Sequence, residues 1–255
     1  MTHNTFIAGP SGKSGTTLLA NLLNTHPNYQ SFKIKEHYSF GQMFNTCDWV
    51  VDQVNYEPNL ASTYFINSVR TWYSNYINPD QLPCSATKFT NFKHYRWLRY
   101  IFPEDPVIVI LRHPIDNFAS CKMWEIKYGA NPPPPSDWFN HRIPVAMSSL
   151  EKIDNKLLLY FEDLINDPQG TMDMVCDFLK FERYAVDFSI AYQTYKRMTS
   201  FTAINNTNNG IITDVVQRRN MSGVLTDNEI AAIKSVVVHS GLLDTVLSRY
   251  QDDFI

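Results

Sequence analysis

The chain has four cysteines in 255 residues, and none stands in a CxxC pair or at a metal-like spacing from a histidine. Neither a zinc centre nor a dithiol redox motif is implied, and Cys47, Cys84, Cys121 and Cys176 read as reduced thiols of an intracellular protein. Excess positive charge is also missing. The formal charge is -3 and the isoelectric point about 6.1, so no overall field attracts nucleic acid, and any anion site must rest on a few local cations. No apolar run of about 18 residues exists to span a bilayer. The first strand starts too close to Met1 to leave room for a signal peptide, so a cytoplasmic location is expected. Internal repeats are absent too. With 44% hydrophobic and 18% charged residues there is ample core for one globular domain over residues 1–255.

Apolar periodicity predicts a strand at 5–9, a loop at 10–14 and a helix at about 15–25, followed by an irregular aromatic region from 28 to 60. Helices are expected over about 61–77 and over FKHYRWLRYIF at 92–102. PVIVILR at 106–112 is continuously apolar and β-branched, as in a strand buried on both faces of a parallel sheet, and NKLLLYFEDL repeats that pattern. HPIDNFASCKMWEIKY reads as a helix entered through Pro114, and the prolines 132–135 as a stiff surface loop rather than a linker. DPQGTMDMVCDFLKF is an amphipathic helix, TAINNTNNG is polar, and TDNEIAAIKSVVVHSGLL is a helix capped at Thr226. Apolar strands alternating with helices argue for a doubly wound, mostly parallel sheet flanked by helices.

The stretch GPSGKSGTTLLANLL, residues 9–23, joins the first strand to the first helix and aims backbone N–H groups at an anion. It is not a Walker A loop. That motif has four residues between its glycines, whereas Gly9 and Gly12 are separated by two, although Lys13 and Ser14 fall where GKS would put them. KSGTT resembles the loop with which sulfotransferases that use 3′-phosphoadenosine 5′-phosphosulfate (PAPS) hold the 5′-phosphosulfate. ILRHPIDNFAS at 110–120 resembles the family's 3′-phosphate clasp, with Arg112 and Ser120 in the arginine and serine positions. LLLYFEDLINDP followed by DFLKF resembles the family's YEDL strand and the helix after it. Taken alone, Glu162 and Asp163 read as helix-cap or ion-pair residues.

The resemblance implies a single domain with a three-layer, P-loop-like α/β fold. It also implies PAPS as donor, with no metal, and a small-molecule or carbohydrate acceptor. Ser14, Gly15, Thr16 and Thr17 would then hold the 5′-phosphate at the helix N-terminus, Arg112 and Ser120 the 3′-phosphate, and Lys13 the charge on the leaving oxygen. For the base, Thr90 replaces the histidine some members use, whereas KEHYSF at 35–40 resembles the acidic-aromatic element of carbohydrate sulfotransferases. Glu36 is therefore the expected general base and His37 the fallback, against the alternative of a solvated carboxylate paired with lysines. Lys88 is either an active-site cation or a solvated lysine.

Other assignments stay open. Arg218, Arg219 and Gly223 stand either for the family's basic glycine loop over the 3′-phosphate or for a solvated turn. The aromatics between 29 and 102 form either core or an acceptor pocket, and Lys93, Arg96 and Arg99 either a solvated stripe or an acidic-acceptor groove. Where the cytosolic members have a tryptophan after KSGTT this chain has Leu18, and Phe161 replaces the tyrosine of YEDL, which leaves the adenine contacts open. Two rival functions remain: a nucleotide-dependent kinase using Lys13, Ser14 and magnesium held by Asp163, which the short loop disfavours, and a non-catalytic nucleotide-binding protein.

Overall fold

Alternation of side chains along the central strands decides the architecture. A computed structural model of the chain describes residues 3–26, 44–47, 60–77, 84–89, 95–132, 134–186, 223–244 and 247–254. Strands β1 (His3–Ala8), β2 (Cys84–Phe89), β3 (Val107–Leu111) and β4 (Lys156–Tyr160) form one sheet in the order β2-β1-β3-β4, with every pairing parallel. Phe6 stands opposite Val107 and Ile7 opposite Ile108, so the pleat sends each pair to its own face.

On one face Ile7, Ile108, Ile110 and Leu159 meet helix α1 (Thr16–Leu23) through Leu19, Leu22 and Leu23. On the other face Phe6, Ala8, Val107, Val109 and Leu111 join a second cluster. That cluster is covered by α2 (Leu60–Ile77), α3 (Tyr95–Ile101), α4 (Pro114–Lys127) and α5 (Ile143–Glu151). Two cores, one on each side of a sheet, make a three-layer α/β fold. After β4 come α6 (Phe161–Asn166) and α7 (Pro168–Leu179), the latter packing Met172 and Val175 beside α1. Helix α8 (Asp227–His239) returns to the larger core through Ile233 and Val237. Its capping box pairs Thr226 with Glu229, and Glu229 also meets Lys122 of α4 at 2.7 Å.

The structure changes several expectations. All five residues of β3 are buried, but β4 shows only Leu159 buried, because β4 has a neighbour on one side among the described strands. β2 adds to the expected elements: CSATKF lacks an apolar run, and its place is set by pairing along the whole of β1. α5 was hidden behind the proline run; it continues directly from a π-helical turn, Trp138–Arg142, and Pro144 stands just after that turn, inside one continuous helical run. Of the described aromatics, Phe44, Tyr73 and Trp97 belong to the core, while Tyr64 and Trp72 are exposed. Arg96 and Arg99 are exposed, each lying over the ring of the following residue. Among the described residues no helix is long and apolar enough to cross a membrane.

Because the strands are parallel, β1, β3 and β4 all deliver their following residues to the same edge of the sheet. That edge is where doubly wound folds place their ligands.

Candidate active site

Ala8, the last residue of β1, is fully buried, and the chain then turns through Gly9–Gly15 into α1. The turn is shaped by its backbone. Tyr95 of α3, itself fully buried, donates its hydroxyl to the Gly9 carbonyl and accepts the Gly9 N–H at 3.1 Å. A Cβ on Gly9 would overlap the Ser14 hydroxyl, so glycine is what lets the loop fold back on its own start. Lys13 (φ 65°) and Gly15 (φ 109°) are both left-handed. A Cβ on Gly15 would also meet the Phe161 ring.

α1 begins without a side-chain cap and has no acidic residue in its first turn, so its positive end is left to an incoming anion. Ser14 is 1% exposed, and its hydroxyl has no hydrogen-bond partner among the described residues. Buried polar atoms are nearly always satisfied, so such an orphan beside an uncapped helix start fits a phosphate oxygen as its partner. Thr16 is buried, Thr17 half-buried and Lys13 exposed.

One face of α4 lies along this loop. Asn117 donates to the Gly12 carbonyl at 3.0 Å and accepts from the Ser11 hydroxyl, and one turn on the Cys121 thiol reaches the same carbonyl at 3.2 Å. Burial pushes the Cys121 thiol up to about 12 although Lys13 and Arg112 pull it down, so it serves as a weak donor rather than a thiolate. A further turn along, the Lys13 ammonium lies over the Trp124 ring at 4.6 Å from its centroid. Ser120 is half-buried on the flank of this face.

Arg112 leaves the end of β3 and donates to the Lys13 carbonyl at 3.2 Å, while its guanidinium lies over the Phe161 ring at 4.6 Å. A small pocket between loop and strand end is lined by Pro10, Ser11, Ser14, Arg112, Pro114 and Asn117, with Ile143 and Met147 beneath. Behind it, Glu162 accepts the His113 N–H at 2.9 Å, and Asp163 is held in a forked pair by Arg249. Asp163 is thus engaged where a kinase would need it for magnesium. Among the described residues no group of His, Cys, Asp or Glu is placed to hold a metal ion.

Lys13, Ser14, Gly15, Thr16 and Thr17 therefore share one turn, Arg112 bonds to that turn, and Ser120 sits on the helix beside it. Glu36, His37, Arg218 and Arg219 lie outside the described residues, as does the side chain of Lys88 in β2; Gly223 is exposed with φ 82°. Sequence reasoning did not find Tyr95, Asn117, Cys121, Trp124 or the double contact of Phe161. The spacing of Asn117, Cys121 and Trp124 at i, i+4 and i+7 would have placed three of them on one helical face. Tyr95 carries no such signal.

A family model described as "Sulfotransferase family" matches residues 5–185. Rat sulfotransferase 2A6 is 39% identical over 67 residues, which is 26% of this chain and 23% of that protein. The matched stretch thus spans under a quarter of the curated relative. Among solved structures, the sulfotransferase domain from the curacin biosynthetic pathway superposes with a TM-score of 0.57 at 16% identity, covering 93% of this chain and 98% of that one. Mouse sulfotransferase SULT7A1, complexed with PAP, gives 0.50 at 12% identity, covering 99% and 89%. At these identities the structural likeness concerns the fold.

Proposed function

This chain belongs to the sulfotransferase family, and on that premise we propose that it moves a sulfuryl group from PAPS to a hydroxyl of a small molecule or carbohydrate, leaving adenosine 3′,5′-bisphosphate. The observation that carries this reading is the bond from the Arg112 guanidinium to the Lys13 carbonyl at 3.2 Å. It joins the two motifs, 99 residues apart, that would grip opposite ends of one doubly phosphorylated adenosine. The buried Ser14 hydroxyl and the uncapped start of α1 supply the 5′ end. Arg112 supplies the 3′ end with a fork suited to phosphate, joined by Ser120. Arg218 and Arg219 complete that end in this scheme.

In the reaction the acceptor oxygen forms a bond to sulfur while the bond from sulfur to the bridging phosphate oxygen breaks. Glu36 takes the acceptor proton, and the electron pair of the broken bond stays on the phosphate. Lys13, exposed at the rim of the turn, faces that developing charge, and Ser14, Gly15, Thr16 and Thr17 fix the phosphate so that little reorganisation is needed. The scheme uses no metal.

Calorimetric titration with adenosine 3′,5′-bisphosphate and, separately, with ADP plus magnesium tests the donor assignment. The bisphosphate should bind more tightly, and tighter ADP binding would overturn it. The acceptor class is then read from a panel of sugars, phenols and alkyl alcohols offered with labelled donor.

A further inference from the structure

Residues 248–254, far from both signature motifs in sequence, close over the back of the strand ends that carry Arg112 and Phe161. The segment begins with the 3₁₀ turn Ser248–Asp253. Its contacts fall on one side of a short stretch, residues 160–163. Tyr160, Glu162 and Asp163 meet the segment, whereas Phe161, between them, faces the other way and lies against both Arg112 and the position of Gly15. Arg249 forks onto Asp163 and lies over the Tyr160 ring at 4.8 Å. The Tyr250 hydroxyl donates to one oxygen of Glu162 at 2.6 Å, and the other oxygen of Glu162 accepts the His113 N–H at 2.9 Å. The His113 ring stacks on Phe254 at 5.5 Å, meets the edge of Tyr250 at 5.0 Å, and brings Nε2 to 3.3 Å from the Asp253 carboxylate.

We infer that this segment is a brace for Arg112, with Tyr250 and Glu162 as positioning residues that set the guanidinium for the 3′-phosphate; the inference rests on the donor reading above. Arg112 and His113 are consecutive and dock onto consecutive residues, Arg112 onto Phe161 and His113 onto Glu162. Glu162 is the hinge pin of that mount, since one carboxylate oxygen holds the strand exit and the other is held by the brace. Burial, and then the bond to Glu162, push the Tyr250 phenol well above its ordinary range, so it remains a protonated donor throughout the neutral pH range. Deleting its hydroxyl releases one side of Glu162 without touching any residue assigned to the donor.

The readout is discrimination for the 3′-phosphate, which a general loss of stability would not change selectively. Wild type, Tyr250→Phe and Glu162→Ala are titrated with adenosine 3′,5′-bisphosphate and with adenosine 5′-monophosphate, which lacks that group. Tyr250→Phe should weaken the bisphosphate about three- to tenfold, and Glu162→Ala at least as much, with the monophosphate changed by less than about twofold. An unchanged ratio in both variants, or a parallel loss of both ligands, overturns the brace. If Glu162→Ala does not fold, the ratio for Tyr250→Phe decides alone. A wild type that binds the two nucleotides equally would instead defeat the donor assignment itself, so the two failures are told apart.

Discussion

The two ends of the proposed donor cleft are built by different means. At the Lys13 end the shape is a property of the backbone: Gly9 admits the Ser14 hydroxyl, Gly15 passes over Phe161 at φ 109°, and Lys13 holds φ 65°. At the Arg112 end the backbone is an ordinary strand exit, and position comes from side chains. Phe161 lies under the guanidinium, Glu162 holds the next N–H, and the 248–254 segment holds Glu162. The first end takes its conformation from seven consecutive residues, Gly9–Gly15, to whose backbone Tyr95, Asn117 and Cys121 bond; the second draws its side chains from three stretches far apart in sequence. Substitutions should therefore fail differently at the two ends, through conformation at one and through loss of a distant support at the other.

Lys13→Ala is the largest expected effect. Removing one charge-stabilising donor from a transferring group typically costs about 10²–10³ in turnover. Affinity for adenosine 3′,5′-bisphosphate should change far less, because Ser14, Thr16, Thr17 and the helix end remain. Turnover with the best acceptor of the panel and calorimetry of the product nucleotide separate the two quantities. Turnover within a factor of two of wild type would remove Lys13 from the chemistry.

Gly15→Ala probes the same end through the backbone. The new Cβ meets Phe161 and forces a non-glycine residue to φ 109°, so the chain should lose about 2–4 kcal/mol in chemical denaturation. Phe161 also supports Arg112, so this is the one loop substitution expected to disturb both ends. A stability within 0.5 kcal/mol of wild type, on the order of an ordinary surface change, would contradict the close approach. Arg112→Ala follows, with the bisphosphate weakened by about 1.5–3 kcal/mol for a lost charge-assisted contact and the monophosphate nearly unaffected. Equal loss of both nucleotides would place Arg112 elsewhere on the ligand.

This contrast also explains what could be read without coordinates. The β1 loop was legible because its geometry demands particular residue types at fixed offsets, and β3 because burial on both faces leaves a continuous apolar run. Arg112 was found through its motif, although its mount was not. Nothing in the spacing of Glu162, Tyr250 or His113 announces that they meet, since the closure that joins them spans 88 residues. β2 was missed for a related reason: a strand with little apolar character is fixed by its partner rather than by its own pattern. Glu162 and Asp163 were read as structural carboxylates from their place at a helix start. The structure bonds Glu162 to a backbone N–H and Asp163 to Arg249.

The smallest predicted effect concerns the ring that lies against the Lys13 ammonium at the backbone-built end. Trp124 is 42% exposed and holds the Lys13 ammonium over its ring, so it contributes little to the core but limits where that charge rests. A partly exposed contact of this kind is worth about 0.5–1 kcal/mol, which corresponds to a two- to fivefold change in rate, roughly. Trp124→Leu should therefore lower turnover by about that factor. Trp124→Phe, with a weaker ring quadrupole, should fall between leucine and wild type. Thermal stability should stay close to wild type in both, because little buried area is lost. A graded series from tryptophan through phenylalanine to leucine is what cation–π placement of Lys13 requires; if leucine and phenylalanine behave alike, the ring acts only as bulk and does not place the Lys13 charge.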